Sequence, residues 1–304
     1  MALKAKYEDI VNVQSIGKPE NPIKFNDLMK LASQERLSPA TKNLENVLFI
    51  GIDIQNDFMD HGELGVPGAI ADTERTTRFI YTNMDKISTI AVSIDTHQPF
   101  QIFHPAWWID ENGNNPPPFT AITLADLDCG KWRAVINPIA SRDYVENLEK
   151  GGKKVLVIWT YHCIQSTFGC ALENQFSNMV YFHSVAKKSV VTRLVKGQEP
   201  YSEMYSIIKP EYDKKNYINI DFLNKLEQYD KIICSGQAQS HCVLETIKHI
   251  LEHYHNRTDV TQKIYVLEDC MSSIPGFEQS TNDAFEQFKK QYKINIVKST
   301  DLVL

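Results

Sequence analysis

Six consecutive apolar residues, Val47-Leu48-Phe49-Ile50-Gly51-Ile52, run without a polar interruption and stop on a carboxylate, Asp53. A strand with one wet face alternates apolar and polar side chains, whereas an unbroken run of this length suits a strand covered on both faces. The same texture returns at Thr89–Ile94, Lys154–Ile158, Lys231–Ser235, Lys263–Leu267 and Ile294–Val297, with short strand candidates at Val180–His183 and Ser189–Thr192. Between the runs, helical patterns occupy Asp72–Lys86, Leu172–Met179, Asp221–Gln228 and Thr281–Tyr292. Strands buried on both faces and alternating with helices predict a single α/β domain built on a parallel sheet. No repeat and no linker divides the chain.

In open parallel sheets, ligands bind beyond the carboxyl ends of the strands. Asp53, Asp95, His97, His162, Lys196 and Cys242 each follow a predicted strand. Asp53 alone also fits a plain loop cap. Asp95-Thr96-His97 directs two polar side chains to the same side of an extended segment. Cys242 lies in G-Q-A-Q-S-H-C-V-L-E-T, after the Lys231–Ser235 run and before the apolar stripe Val243, Ile247, Ile250, Leu251, Tyr254. With Ser240 read as the N-cap, Cys242 falls in the first turn of a helix, where the dipole lowers a thiol from ~8.5 towards neutrality. His241, its neighbour on that helix, points about 100° away and is read as facing elsewhere. A cysteine, a carboxylate and a lysine form a nucleophile set; an aspartate with two histidines suits a divalent ion.

Composition removes several classes of function. The 304 residues are 42% hydrophobic and 23% charged, with net charge −6 and no dense basic block, so nucleic acid and anionic membranes are not expected partners. No stretch approaches the roughly 18 apolar residues of a membrane span, and the first residues lack a signal-peptide core. Six scattered cysteines without a Cys-x-x-Cys pair read as reduced thiols, which suggests a cytoplasmic enzyme. Residues 1–45 read as an N-terminal extension with one helix near Asn26–Gln34, ahead of a domain at 46–304. Residues 98–152, with Trp107, Trp108 and Pro116-Pro117-Pro118, read as an insertion. A lid, a homo-oligomer contact and surface decoration all fit it.

Taken together, these motifs resemble the isochorismatase-like cysteine hydrolases, and within them the nicotinamidases. The likeness spans about residues 46 to 300, in the same order. It implies that Asp53 in I-D-I-Q-N-D-F, Lys196 in V-K-G-Q-E-P-Y-S-E-M-Y-S and Cys242 are catalytic. It further implies that Asp95, His97 and His162 in W-T-Y-H-C hold a divalent ion (zinc, iron, manganese or magnesium). The implied fold is a parallel sheet of about six strands flanked by helices, with a non-proline cis peptide between Gln237 and Ala238. The N–H groups of Ala238 and Cys242 are then the oxyanion donors, and Phe58 and Trp159 sandwich the ring of a small carboxamide.

The chain departs from that pattern in its long extension and insertion, and in Ser240, where nicotinamidases commonly carry aspartate. His104 competes with His162 as third ligand. Three other readings stay open at this stage: a Cys242–His241 dyad, a metal-free relative acting on isochorismate or a carbamoyl or ureido amide, and an idle binding or scaffold member.

Overall fold

The computed structural model describes residues 3–151 and 155–304. Its central sheet has six strands: β1 (Val47–Ile52), β2 (Ile87–Asp95), β3 (Thr192–Lys196), β4 (Lys231–Gly236), β5 (Ile264–Leu267) and β6 (Asn295–Val297). They lie in the order β6-β5-β4-β1-β2-β3, and every neighbouring pair is parallel. The main helices are α1 (Phe25–Ser33), α2 (Ala69–Thr82), α3 (Pro138–Lys150), α4 (Asn174–Lys187), α5 (Ile220–Leu226), α6 (Leu244–His253) and α7 (Glu278–Tyr292).

β1 shows why its run is unbroken. Val47 and Phe49 pack with Phe79 and Ile80 of α2 and with Phe176 and Met179 of α4. Leu48, Ile50 and Ile52 face the opposite layer, with Ile247 and Ile250 of α6 and Phe285 of α7. Burying each such side chain contributes about 1.5–3 kcal/mol, so both faces must be apolar. Gly51 is required by its surroundings: a Cβ there would lie 2.6 Å from the Phe176 ring.

Three strand expectations need correction. Val180–His183 belongs to α4. The sheet covers one side of that helix and the N-terminal extension the other: Tyr7, Ile10, Leu28 and Ala32 join its core. The edge strand begins at Thr192 rather than Ser189, which makes Lys196 its last residue. The run at Lys154–Ile158 does not join the central sheet. Lys154 and Gly152 lie outside the described residues, and Leu156–Val157 pairs antiparallel with Ala121–Ile122 in a separate two-stranded sheet. The deciding force is a second core, where Leu156, Ile158 and Trp159 pack with Ile102, Phe103, Trp107, Trp108, Tyr144 and Leu148. An apolar run shows that a strand is buried, not which sheet takes it.

Glu173, the N-cap of α4, accepts from the N–H groups of Gln175 and Phe176 at 2.8 Å and of Gly17 at 3.1 Å. It thereby ties the extension to the domain. Burial outweighs these bonds and pushes its carboxyl up to about 7. A carboxyl raised on folding binds its proton more tightly in the native state, so its ionisation opposes folding as pH rises from about 4.5 to 7. Urea unfolding at several pH values should therefore show Glu173→Gln gaining on wild type by on the order of 1–3 kcal/mol between pH 4 and pH 8. A difference that is constant with pH would show that Glu173 is not held in this state.

Candidate active site

The chain climbs one side of the sheet through β1, β2 and β3, then returns to the other side of β1 to begin β4. The connections therefore diverge between β1 and β4, the place where open α/β sheets form a crevice. Asp53 follows β1 there, and the Gly236–Cys242 segment follows β4 opposite it; Ile52 and Gly236 are in register. Asp95 and Lys196 close the next two strands and are also in register.

These four residues meet. Lys196 Nζ lies 2.9 Å from Asp53 Oδ2, 2.9 Å from Asp95 Oδ1 and 3.6 Å from Cys242 Sγ. It also donates to the Met204 carbonyl at 3.1 Å. Asp53 is fully buried and sits at φ 48°, a left-handed conformation that costs a non-glycine residue about 1–2 kcal/mol. Ser93 holds it there: the hydroxyl accepts from Asp53 N–H at 2.9 Å and donates to Asp53 Oδ1. Burial, with Asp95 adding to it, raises the Asp53 carboxyl, and Lys196 pulls the other way. Burial would also raise Asp95, but His97 and Lys196 hold it well below the usual carboxylate range.

Cys242 requires a correction. Gln239–Val243 forms a π turn ahead of α6, and Ser240 does not cap the helix. Its hydroxyl instead accepts from Ile274 N–H at 3.1 Å and pairs with His241 Nδ1 at 2.8 Å. Burial drives the Cys242 thiol well above its ordinary value; Lys196 opposes this, and Asp53 and Asp95 add to it. The thiol is therefore kept neutral, contrary to the lowering expected from a helix start. His241 does not turn away as expected. Its ring lines the same cavity as Cys242 and packs against Trp159, Tyr205 and Phe277.

The cluster Asp95, His97 and His162 is buried, with ligand atoms all within 4.8 Å of one another. His97 Nδ1 faces the Gly197 carbonyl at 3.0 Å and His162 Nδ1 faces the Thr160 carbonyl at 2.9 Å. Those bonds place the protons on Nδ1 and free each Nε2 as a lone pair, the orientation a metal ligand needs. His97 Nε2 and Asp95 Oδ2 are 2.9 Å apart, and two acceptors approach so closely only across a proton or a cation. Burial, then the charge of His97, pushes His162 down to about 3, which keeps it neutral. The donor set fits a divalent ion. Gly197 makes room for the Asp95 and His97 side chains, since a Cβ there would lie 2.5 Å from Asp95 Oδ1 and 2.6 Å from the His97 ring. His104 is buried beside the cluster, its ring centroid 5.9 Å from that of His97, but its nitrogens do not converge with the other three. His162 reaches the cluster without a central-sheet strand behind it. The second core delivers it, through Trp159.

A narrow pocket joins thiol and cluster, lined by Phe58, Leu64, Val66, Trp159, Tyr205, Ala238 and Ile274 among others. Phe58 packs its ring on His162, and Trp159 donates to Tyr205 Oη at 3.2 Å. The peptide between Gln237 and Ala238 is cis. Sequence reasoning missed Ser93, Gln55 and Glu203. Gln55 stitches β1 to β2, accepting from Asp95 N–H at 2.7 Å and donating to the Asp95 carbonyl at 2.8 Å. Glu203 is a buried carboxylate on the cavity wall, raised by burial and drawn back by His97 and Lys196. Its signal was present as the one glutamate amid aromatics in Y-S-E-M-Y.

No family model matches the chain, and no curated protein matches it in sequence. Solved structures do share its fold. An Acinetobacter baumanii nicotinamidase/pyrazinamidase superposes with TM-score 0.59 at 20% identity, over 86% of this chain and 100% of that one. The yeast nicotinamidase Pnc1p bound to the inhibitor nicotinaldehyde gives 0.57 at 20% identity, over 83% and 99%. PnC1 from L. infantum in complex with nicotinate gives 0.52 at 15%, over 88% and 98%. The fold is thus isochorismatase-like and nicotinamidase-like.

Ser93→Ala strips both hydrogen bonds from a buried, strained aspartate. It should lower stability by about 1–3 kcal/mol in denaturant unfolding. A change below about 0.5 kcal/mol would show that Ser93 does not hold Asp53.

Proposed function

We propose that this chain is a thiol-dependent amidohydrolase that converts a small planar aromatic carboxamide, nicotinamide above others, to its acid and ammonia. The observation that supports this most is a single buried ammonium, Lys196, in contact with Asp53, Asp95 and Cys242 together. Cys242 Sγ attacks the amide carbon while its proton passes to Asp53, and the carbonyl π electrons move to oxygen. The N–H groups of Ala238 and Cys242 receive that oxyanion. Asp53 then protonates the amide nitrogen, the C–N bond breaks, and ammonia leaves a thioester on Cys242. Water attacks the thioester as Asp53 takes its proton, the C–S bond breaks, and the proton returns to sulfur. Lys196 remains cationic throughout and offsets the charge on the two carboxylates.

Asp95, His97 and His162 are the residues that would hold a divalent ion, whether zinc, iron, manganese or magnesium. When bound it would supply a Lewis-acidic anchor for a lone pair of the substrate. Phe58 and Trp159 offer aromatic surfaces that orient a flat ring between the two. No observation favours the metal-free or carbamoyl alternatives, and the convergent histidines speak against the former.

Cys242→Ala should reduce ammonia release by about 10⁴-fold or more while leaving the unfolding midpoint in place; near-normal turnover would remove the mechanism. In wild type, nicotinamide and pyrazinamide should outpace benzamide, which has no ring nitrogen. Equal rates on all three would refute the anchored ring. Elemental analysis should find stoichiometric metal in wild type and loss of it in His97→Ala. Equal content in both would refute the ligand set.

A further inference from the structure

Ala238 is flanked by Gln237 and Gln239, neither of which lines the cavity. Gln237 is 1% exposed. Its Nε2 donates to Asp72 Oδ2 at 2.9 Å, its Oε1 accepts from Ser272 N–H at 3.4 Å, and its own N–H donates to the Ile52 carbonyl at 2.8 Å. A carboxylate only accepts and a backbone N–H only donates, so the amide has a single orientation available. Asp72 comes from α2, is buried, and gives its other oxygen to Arg75 at 2.6 Å. Arg75 in turn donates to the Asp269 carbonyl, just past β5. Gln239 N–H donates to the Ser272 carbonyl at 2.8 Å, and Ser273 Oγ donates to Gln239 Oε1 at 3.0 Å. Gly68, at the start of α2, admits Ser272, whose Oγ would lie 2.8 Å from a Cβ there.

A buried carboxylate is a costly way to stabilise a loop, because an apolar residue of similar volume commonly does better. What it supplies is direction. We propose that Asp72 and Gln237 form a positioning pair that fixes the 237–242 turn and aims the Ala238 N–H at the place where a substrate's carbonyl oxygen becomes anionic. This deepens the thiol-hydrolase reading and rests on it. Neither residue touches the reacting atoms; they act through the backbone between β4 and α6. Displacing a reacting or stabilising group by about 1 Å is enough to cost about 10²-fold.

The test compares full-length wild type, Gln237→Leu and Asp72→Asn. Gln237→Leu removes both amide contacts with little change of volume. Asn at 72 must turn an NH₂ towards either Gln237 Nε2 or Arg75, donor against donor. Four quantities are measured: kcat and KM on the amide wild type hydrolyses best, affinity for pyridine-3-carbaldehyde, affinity for pyridine-3-carboxylate, and the rate of Cys242 alkylation by iodoacetamide. The aldehyde adds the thiol across its C=O, the S–C bond forming as the proton goes to oxygen, so it reports on the oxyanion position without a leaving group. The expected result is a kcat lower by about 30- to 100-fold with KM within about threefold, and aldehyde affinity lower by a similar factor. Acid affinity and alkylation should stay at wild-type values. The proposal is overturned if Gln237→Leu keeps kcat and aldehyde affinity within about twofold of wild type. It is also overturned if acid affinity and alkylation fall in the same proportion, the sign of general disruption. A wild type that hydrolyses no amide yet adds the aldehyde, with weaker addition in the variants, would remove the amidohydrolase reading and leave the pair standing. A wild type that does neither overturns both.

Discussion

The buried ammonium of Lys196 is the contact on which the charge balance of the site depends. It lies 2.9 Å from each of two buried carboxylates and 3.6 Å from the thiol. Two carboxylates held this close would otherwise force one to take up a proton. Desolvation counts against all three charges, and their mutual attraction offsets it only while the set is complete; removing one member of such a pair typically costs about 3–5 kcal/mol. One lysine still leaves a surplus negative charge. His97 faces an oxygen from each ring nitrogen, at 3.0 and 2.9 Å, and supplies the balance as an imidazolium or by sharing Asp95 with a cation. Both states keep Asp95 ionised, and so keep Lys196 between two anions.

The sheet makes that convergence inexpensive. β4, β1, β2 and β3 are neighbours, and each contributes one member at or just past its carboxyl end. In-register pairing sets Asp95 beside Lys196 and Ile52 beside Gly236. Strands about 4.8 Å apart bring adjacent side chains within reach of one long lysine. Gln55 and Ser93 then refine the placement by bonding across β1 and β2 rather than to any ligand.

Much of this was legible because it is local. β1, β2, β4, β5 and β6 announced themselves as apolar runs, and the polar residues that end or follow strands were visible in the sequence. What failed depended on partners distant in the chain. α4 looked like a helix followed by a strand because its outer face is covered by residues 5–32, which no local pattern reveals. Leu156–Val157 went to a minor sheet because the core around Trp107 and Trp108 claimed it. His162 joins the Asp95–His97 group, but not from the end of a central strand as the sequence suggested, since Leu156–Val157 lies in the minor sheet. The described part of the insertion, residues 98–151, packs against the rest of the chain. Tyr144 of α3 accepts from Glu203 N–H at 2.9 Å, so the insertion buttresses the loop that carries Glu203 and Tyr205 into the cavity.

The state of the thiol reverses the initial reasoning and makes better chemical sense. A helix start was expected to store a thiolate. The π turn instead buries Cys242 among two carboxylates and one ammonium, and burial outweighs Lys196 in keeping the proton on sulfur. A standing thiolate here would place a third anion beside Asp53 and Asp95 and break the balance that Lys196 maintains. Asp53 is itself raised by burial, in the same direction as the thiol. Under the proposed mechanism, the nucleophile is formed only as its charge moves onto an electrophile and thence to the backbone N–H groups of the 238–242 turn. On that proposal the direction of those N–H groups matters as much as the nucleophile itself, because they are fixed before the charge arrives.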